Sequence, residues 1–463
     1  MKSDWGKIML LRFAISAGCL LLGSLTAHAL SLNDAVRIAV DTSPEVLEAK
    51  ANQRAVGAEL DQARSLYMPT LDLEAFIGPQ YVDRPNGLSA ANNAEWRASR
   101  QLSAIASWTL FDGFFRANES FRQATRLQGA GYRALEAAEI VAVDTVEAYV
   151  DVLRHRRVLR AADNNIEQHR FIVGRAGEQF DGGAATQGEV EIARQRLAAS
   201  RAIRAEVARA LGEVEARFLR LVGENPRHLH AVSLPAGTPR SVDEAIELAR
   251  SGHPTLDAAA LEVEAQEAVA EQQLSSIYPS LAVEGAASYG YDVGGTPGEN
   301  IDASLRLVMR WRLFDGGLRT AQHREQVERV GEAEIRLDRF RLDIDEAVRR
   351  AWVGVTTNDV RLHALRDQLS QSERVLSSYY EEYDAGLRTL LDLLDAQNAR
   401  FNAEFEVSSA EAIAVFARYQ LIGSTGHLLD HFGLRDIVPE PELRAEDLRL
   451  HRTANGLFEP LRR

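Results

Sequence analysis

Two periodicities alternate along the chain. Long stretches with apolar residues at helical spacing are interrupted by short stretches in which apolar and polar residues strictly alternate. Leu71, Leu73, Ala75 and Ile77 alternate with Asp72, Glu74 and Phe76, and Leu102, Ala104, Ala106, Trp108 and Leu110 with Ser103, Ser107 and Thr109. The pattern returns later. Leu281, Val283 and Tyr289 alternate with Ser280, Glu284 and Ser288, and Leu305, Leu307, Met309, Trp311 and Leu313 with Arg306, Arg310 and Arg312. The spacing predicts strands over about 70–82, 100–111, 280–291 and 302–314, each long enough to cross a bilayer when tilted. Arginines on one face and large apolar side chains on the other suit a barrel strand with a wet lumen and a lipid exterior. A soluble sheet with one wet face would alternate in the same way.

The connections Asp83–Arg97 and Asp292–Asn300 are rich in Gly, Asn and Pro, as loops between strands should be. Elsewhere proline is absent between Pro85 and Pro226 and again between Pro297 and Pro439. Proline breaks helix interiors, so very long helices are permitted there. Val143, Val146, Val150 and Leu153, then Leu362, Leu365 and Leu369, keep heptad-like spacing. A helix over 113–180 would be roughly 100 Å long at about 1.5 Å per residue. It is too polar to enter lipid and too long for one globular core, which points to an elongated coiled coil.

The two halves are copies. S-L-N-D-A-V-R-I-A from Ser31 returns as S-V-D-E-A-I-E-L-A from Ser241, and S-L-Y-M-P-T-L from Ser65 as S-I-Y-P-S-L from Ser276. W-T-L-F-D-G from Trp108 returns as W-R-L-F-D-G from Trp311, F-D-G-G from Phe180 as Y-D-A-G from Tyr383, and L-V-G at Leu221 as L-I-G at Leu421. Matches in one order across both halves define a duplicated unit of about 200 residues. The first repeat is expected over 30–223 and the second over 241–433. Between them lies a linker, 224–240, with Pro226, Pro235 and Pro239, and a charged tail follows at 434–463.

Composition narrows the class. Apolar residues make up 46% and charged residues 26%, which excludes a disordered chain. The net charge of −14 argues against nucleic acid as a partner. Residues 1–29 read as a secretory signal, with Lys2, Lys7 and Arg12 before the apolar run Phe13–Leu25 and Ala27-His28-Ala29 at its end. The sole cysteine, Cys19, is either an ordinary apolar residue of that run or a lipoprotein acceptor; Leu20, Leu21 and Leu22 after it favour the former. Four strands per chain leave two bare sheet edges, which other copies must cover. Two copies would give eight strands filled by their own side chains; three would give twelve and an open lumen, and three is expected.

With the repeat, the strand pairs, both F-D-G turns and Y-D-A-G-L-R-T-L-L-D-L-L-D-A-Q from Tyr383 in place, the chain resembles the TolC-like outer-membrane factor family over about residues 31–433. The resemblance implies a mixed fold, all-α plus transmembrane β: a homotrimer whose twelve-stranded barrel lies in outer-membrane lipid, continued by a helical tunnel through the periplasm. It implies export of proteins or small toxic compounds from an inner-membrane transporter, of ABC or RND type, joined by a periplasmic adaptor. The type I protein-secretion and drug-export branch is the most similar. Carried over by position, Asp392 and Asp395 fall at the pore constriction, and Tyr383, Arg388 and Glu189 at the links that hold the periplasmic tip shut. Gly188 stands where the family often has a hydroxyl residue.

The residues agree in kind. Asp392 and Asp395 share one helix face, and three copies would ring a narrow axis with carboxylates. No catalytic constellation and no cofactor or metal site is evident. His427 and His431 flank Asp430 without a third ligand, and Gly423–Gly426 is not a nucleophile elbow. The alternative is a trimeric coiled-coil adhesin anchored by a barrel, but its anchor would sit at one chain end rather than inside each repeat.

Overall fold

The computed structural model describes residues 29–83, 95–439 and 445–448. The expected signal segment lies outside the described residues apart from Ala29, as do residues 84–94 of the first loop and most of the tail. The first repeat runs α1 (Leu32–Thr42), α2 (Pro44–Ser65), β1 (Thr70–Val82), β2 (Glu95–Phe111), α3 (Phe115–Asp181) and α4 (Gln187–Val222). The second answers with α5 (Val242–Gly252), α6 (Pro254–Leu274), β3 (Ser280–Tyr291), β4 (Glu299–Arg310), α7 (Leu318–Asp384) and α8 (Leu390–Ser424), followed by the short α9 (Leu428–Phe432). Among the described residues the fold is mostly helical, with one four-stranded antiparallel sheet in the order β1-β2-β3-β4. Among the described residues, no helix is long and apolar enough to cross a membrane.

Three strand ends differ from expectation, β4 among them beginning at Glu299 rather than near residue 302. β2 begins at Glu95, so Trp96 belongs to it. β4 ends at Arg310 rather than near residue 314, because its partner β3 begins at Ser280, directly after Pro279, which has no N–H to give to a ladder. Trp311 is therefore beyond the ladder, and its indole donates to the Ile277 carbonyl at 3.1 Å.

Register carries the four alternating patterns onto common faces. Leu71, Ala106, Gly285 and Leu305 are cross-strand neighbours, as are Leu73, Ala104, Ala287 and Ala303. The intervening rows carry Glu74, Ser103, Ser288 and Asp302 on the other face. Arg310 donates to Glu284 at 2.6 Å on that polar face. The apolar face is open: Leu73 is 73% and Leu305 79% exposed. Aromatic residues bound it at each end. Tyr81 lies against Trp96 with ring centroids 5.5 Å apart, and Trp108 donates to the Tyr67 carbonyl at 3.0 Å.

The chain divides into two compact units, each drawn from both repeats. One takes residues up to Ile38, Thr145–Leu234 and Ala364–Val415; the other takes Ala39–Asp144, Pro235–His363 and the chain from Phe416. In the first unit α3, α4, α7 and α8 share a core of Ile172, Val190, Leu376, Leu390 and Leu394. In the second, Ile246, Leu256, Ile344, Val348 and Leu421 form one cluster and Leu60, Phe121, Ala124 and Ala268 another. Both strand-to-helix turns are built alike. Asp112 accepts from the backbone and guanidinium of Arg116 at 3.2 and 2.7 Å, and Asp315 from those of Arg319 at 3.2 and 2.6 Å. The aspartate caps the helix, while Gly113 and Gly316 supply the left-handed backbone at φ +67° and +70°.

A buried acid in the second unit makes stability depend on pH. The N–H groups of Leu428 and Leu429 donate to the Glu139 carboxylate at 3.1 and 3.0 Å. Burial nevertheless pushes its pKa up to about 7, against the pull of those two bonds. The folded protein thus holds a proton that the unfolded chain releases from about pH 4.5, so the stabilisation present below that pH is lost by about pH 7, at a cost of about 3 kcal/mol. The melting temperature should fall between pH 5 and pH 8, and this fall should shrink in Glu139→Gln. Equal falls in the two proteins would refute the assignment.

Candidate gate at the helix turns

The turns joining α3 to α4 and α7 to α8 are sequence copies, and they fold as copies. Gly183 and Gly386 hold matched left-handed positions at φ +74° and +73°. Thr186 caps α4 through its hydroxyl, which accepts from the Glu189 N–H at 3.3 Å, while Glu189 accepts from the Thr186 N–H at 2.6 Å. At the second turn the Thr389 hydroxyl accepts from the Asp392 N–H at 3.2 Å, and Asp392 accepts from the Thr389 N–H and hydroxyl at 3.3 and 2.7 Å. Glu189 and Asp392 therefore do the same local work, each closing a reciprocal cap. Side-chain and backbone hydrogen bonds from Thr389 hold the Asp392 carboxyl below its usual pKa.

The other expected residues sit around these turns. Tyr383 is buried on α7 in the core of the first unit. Burial first, then the Glu189 and Asp384 carboxylates, raise its hydroxyl pKa, with Arg175 opposing. Tyr383 and Glu189 thus meet electrostatically, and an Arg175–Asp384 ion pair of 2.5 Å ties α3 to α7 beside them. Arg388 donates to Glu382 at 2.6 Å and lies 4.3 Å from the Tyr379 ring centroid. Asp395 is open to solvent, with Arg196 of α4 at 3.5 Å. A Cβ added at Gly188 would have only the Thr186 hydroxyl near it, at 3.8 Å, so a small side chain fits there.

Several participants were not foreseen. Gln397 is fully buried and donates to Asn165 at 2.9 Å, a polar link between α8 and α3 inside the core. Its sequence signal is a polar residue between Leu393 and Phe401 at four-residue spacing, on a stripe that is otherwise apolar. Arg175 and Arg196 carry no local signal, since their partners Asp384 and Asp395 lie on other helices, whereas Glu382 meets Arg388 six residues on within the same turn. Among the described residues no cluster of His, Cys, Asp and Glu is arranged to hold a metal. His427 instead faces the Thr425 carbonyl, and His431 packs edge-on to Tyr419 and Phe432. The arrangement offers caps, ion pairs and open carboxylates, suited to holding helix turns and presenting charge.

The sequence profile of the outer membrane efflux protein family matches residues 35–224 and 245–427. The chain belongs to the outer membrane efflux protein family. As a member it is an efflux channel of the outer membrane that extends into the periplasm. It is 26% identical to the outer membrane efflux protein BepC of Brucella suis over 438 residues, 92% of this chain and 93% of that protein. It is 23% identical to the outer membrane protein TolC of Vibrio cholerae over 425 residues, 88% of this chain and 93% of that protein. The crystal structure of the Vibrio cholerae outer membrane protein VceC superposes with a TM-score of 0.72 at 18% identity, over 85% of this chain and 96% of VceC. That likeness establishes a shared fold.

Proposed function

We propose that three copies of this chain close their sheets into a twelve-stranded barrel continued by a helical tunnel, a passive conduit. Proteins or small toxic compounds would enter it from an inner-membrane transporter of ABC or RND type through a periplasmic adaptor. One observation carries the reading: among the described residues there is a single sheet, with one open apolar face and with β1 and β4 as its edges. Closure with other copies removes both edges and turns the apolar face to lipid. The rows between the aromatic ends fit this orientation. Trp96 and Trp108 are twelve residues apart on β2, which is about 40 Å along the strand and about 30 Å in depth at barrel tilt.

In this reading residues 30–223 and 241–433 are equivalent repeats about the 224–240 linker, residues 1–29 direct export, and 434–463 form a charged tail. Asp392 and Asp395 line the constriction at the periplasmic tip, and Tyr383, Arg388 and Glu189 latch it. The open carboxylate of Asp395 and the ties of Arg388 to Glu382 and of Tyr383 to Glu189 and Asp384 support these roles. No step requires a catalyst or a cofactor. Planar-bilayer recording tests the latch. The parent should conduct weakly, and Tyr383→Phe with Arg388→Ser should raise its resting conductance several-fold. Equal conductance would place the latch elsewhere.

A further inference from the structure

The two repeats differ in what covers their F-D-G turns. In the first, Phe111 and Phe114 meet Tyr278 edge-on, with ring centroids 6.5 and 6.2 Å apart. Tyr278 belongs to the segment that enters β3. A Cβ on Gly113 would collide with the Ser275 carbonyl of that same segment. The first repeat's turn thus rests on the second repeat's strand entry.

The second turn has the same backbone but no such seat among the described residues. Gly316 holds φ +70°, yet nothing lies within 4 Å of a Cβ built there or at Gly317. Phe314, the counterpart of Phe111, is 86% exposed. The counterpart of Tyr278 is Tyr67, at the entry to β1, on the opposite edge of the sheet. It stands ready: Arg116 lies 4.7 Å from one ring face, and Leu66 and Met68 beside it are exposed. The long helices repeat the contrast. α3 is covered by α6 at Gly129, 3.7 Å from Leu261, and by α2 at Gly57, 3.8 Å from Leu127. On α7, Val327, Ile335, Leu342, Val353 and Val360 share one helix face and are all exposed.

We propose that the turn after β4 seats on the entry segment of β1 in a second copy, Phe314 against that copy's Tyr67. The contact repeats between chains the junction that Phe111 makes with Tyr278 inside one chain, and α7 is then covered by the second copy's α2. Because the two surfaces differ, the contact is head-to-tail and closes only as a ring. The inference rests on the ring of copies proposed above and names the surface that joins them.

Paired cysteines test it, since Cys19 is the sole natural thiol. Tyr67→Cys with Phe314→Cys should yield covalent dimers and trimers when outer membranes are treated with a short bis-methanethiosulfonate reagent. Either single variant should yield none, because a head-to-tail contact never brings like positions together. An assembled ring that fails to crosslink overturns the junction while the ring reading stands; absence of any multi-chain species in the parent overturns the ring. Should the double variant not assemble, hydroxyl-radical footprinting of the unmodified protein decides. Protection of both Tyr67 and Phe314 in the assembled species supports the junction, and full reactivity of either one overturns it.

Discussion

Leu102→Arg should sharply reduce the assembled channel. Leu102 sits midway between Trp96 and Trp108 on β2, in a row with Ala75, Tyr289 and Ile301 on the apolar face. In the proposed barrel a guanidinium at that depth would face hydrocarbon, at a cost of about 2–4 kcal/mol per chain. Leu307→Arg should be far milder, about 0–1 kcal/mol, because Leu307 shares the row of Val283 and Trp108 at the aromatic boundary. On the polar face, Arg310→Leu breaks the ion pair with Glu284 and should alter conductance more than assembly. Urea titration of the folded channel in lipid vesicles measures all three. Equal losses for Leu102→Arg and Leu307→Arg would refute the depth assignment, and a larger loss for Arg310→Leu would refute the choice of face.

Neutralising the tip carboxylates should abolish block by multivalent cations. Three copies would set Asp392 and Asp395 around one axis, where low-dielectric walls amplify their field. The Thr389 hydrogen bonds favour the charged form of Asp392, while neighbouring carboxylates in such a ring would oppose it. Asp392→Asn with Asp395→Asn keeps an oxygen acceptor for the Thr389 cap, so assembly should survive. The variant should lose the block and much of the cation selectivity in bilayer recordings. A variant that is still blocked would show that these carboxylates do not line the pore.

What the sequence made legible was local. Alternation located the strands because each has one wet face and one open apolar face. The proline-free spans located α3 and α7, and the repeated F-D-G and Thr-capped turns were visible as copies. Pairing between elements was not legible. Nothing in the strand patterns says that β2 pairs with β3 across the two repeats, or that Pro279 ends the ladder opposite Arg310. At the gate, the reciprocal Thr389–Asp392 cap was implicit in the three-residue spacing. The partners Arg175 and Arg196 were hidden, because long charged side chains find partners on other helices only once helix register and packing are set. Glu139 was hidden for the opposite reason: an acid on a helix reads as solvated until a distant turn buries it.

Native mass spectrometry of the detergent-extracted outer-membrane species tests the central claim most directly. The expected result is a complex of three chains that falls to single chains on heating, with loss of the sheet. A stable single chain that retains its full β content would contradict it.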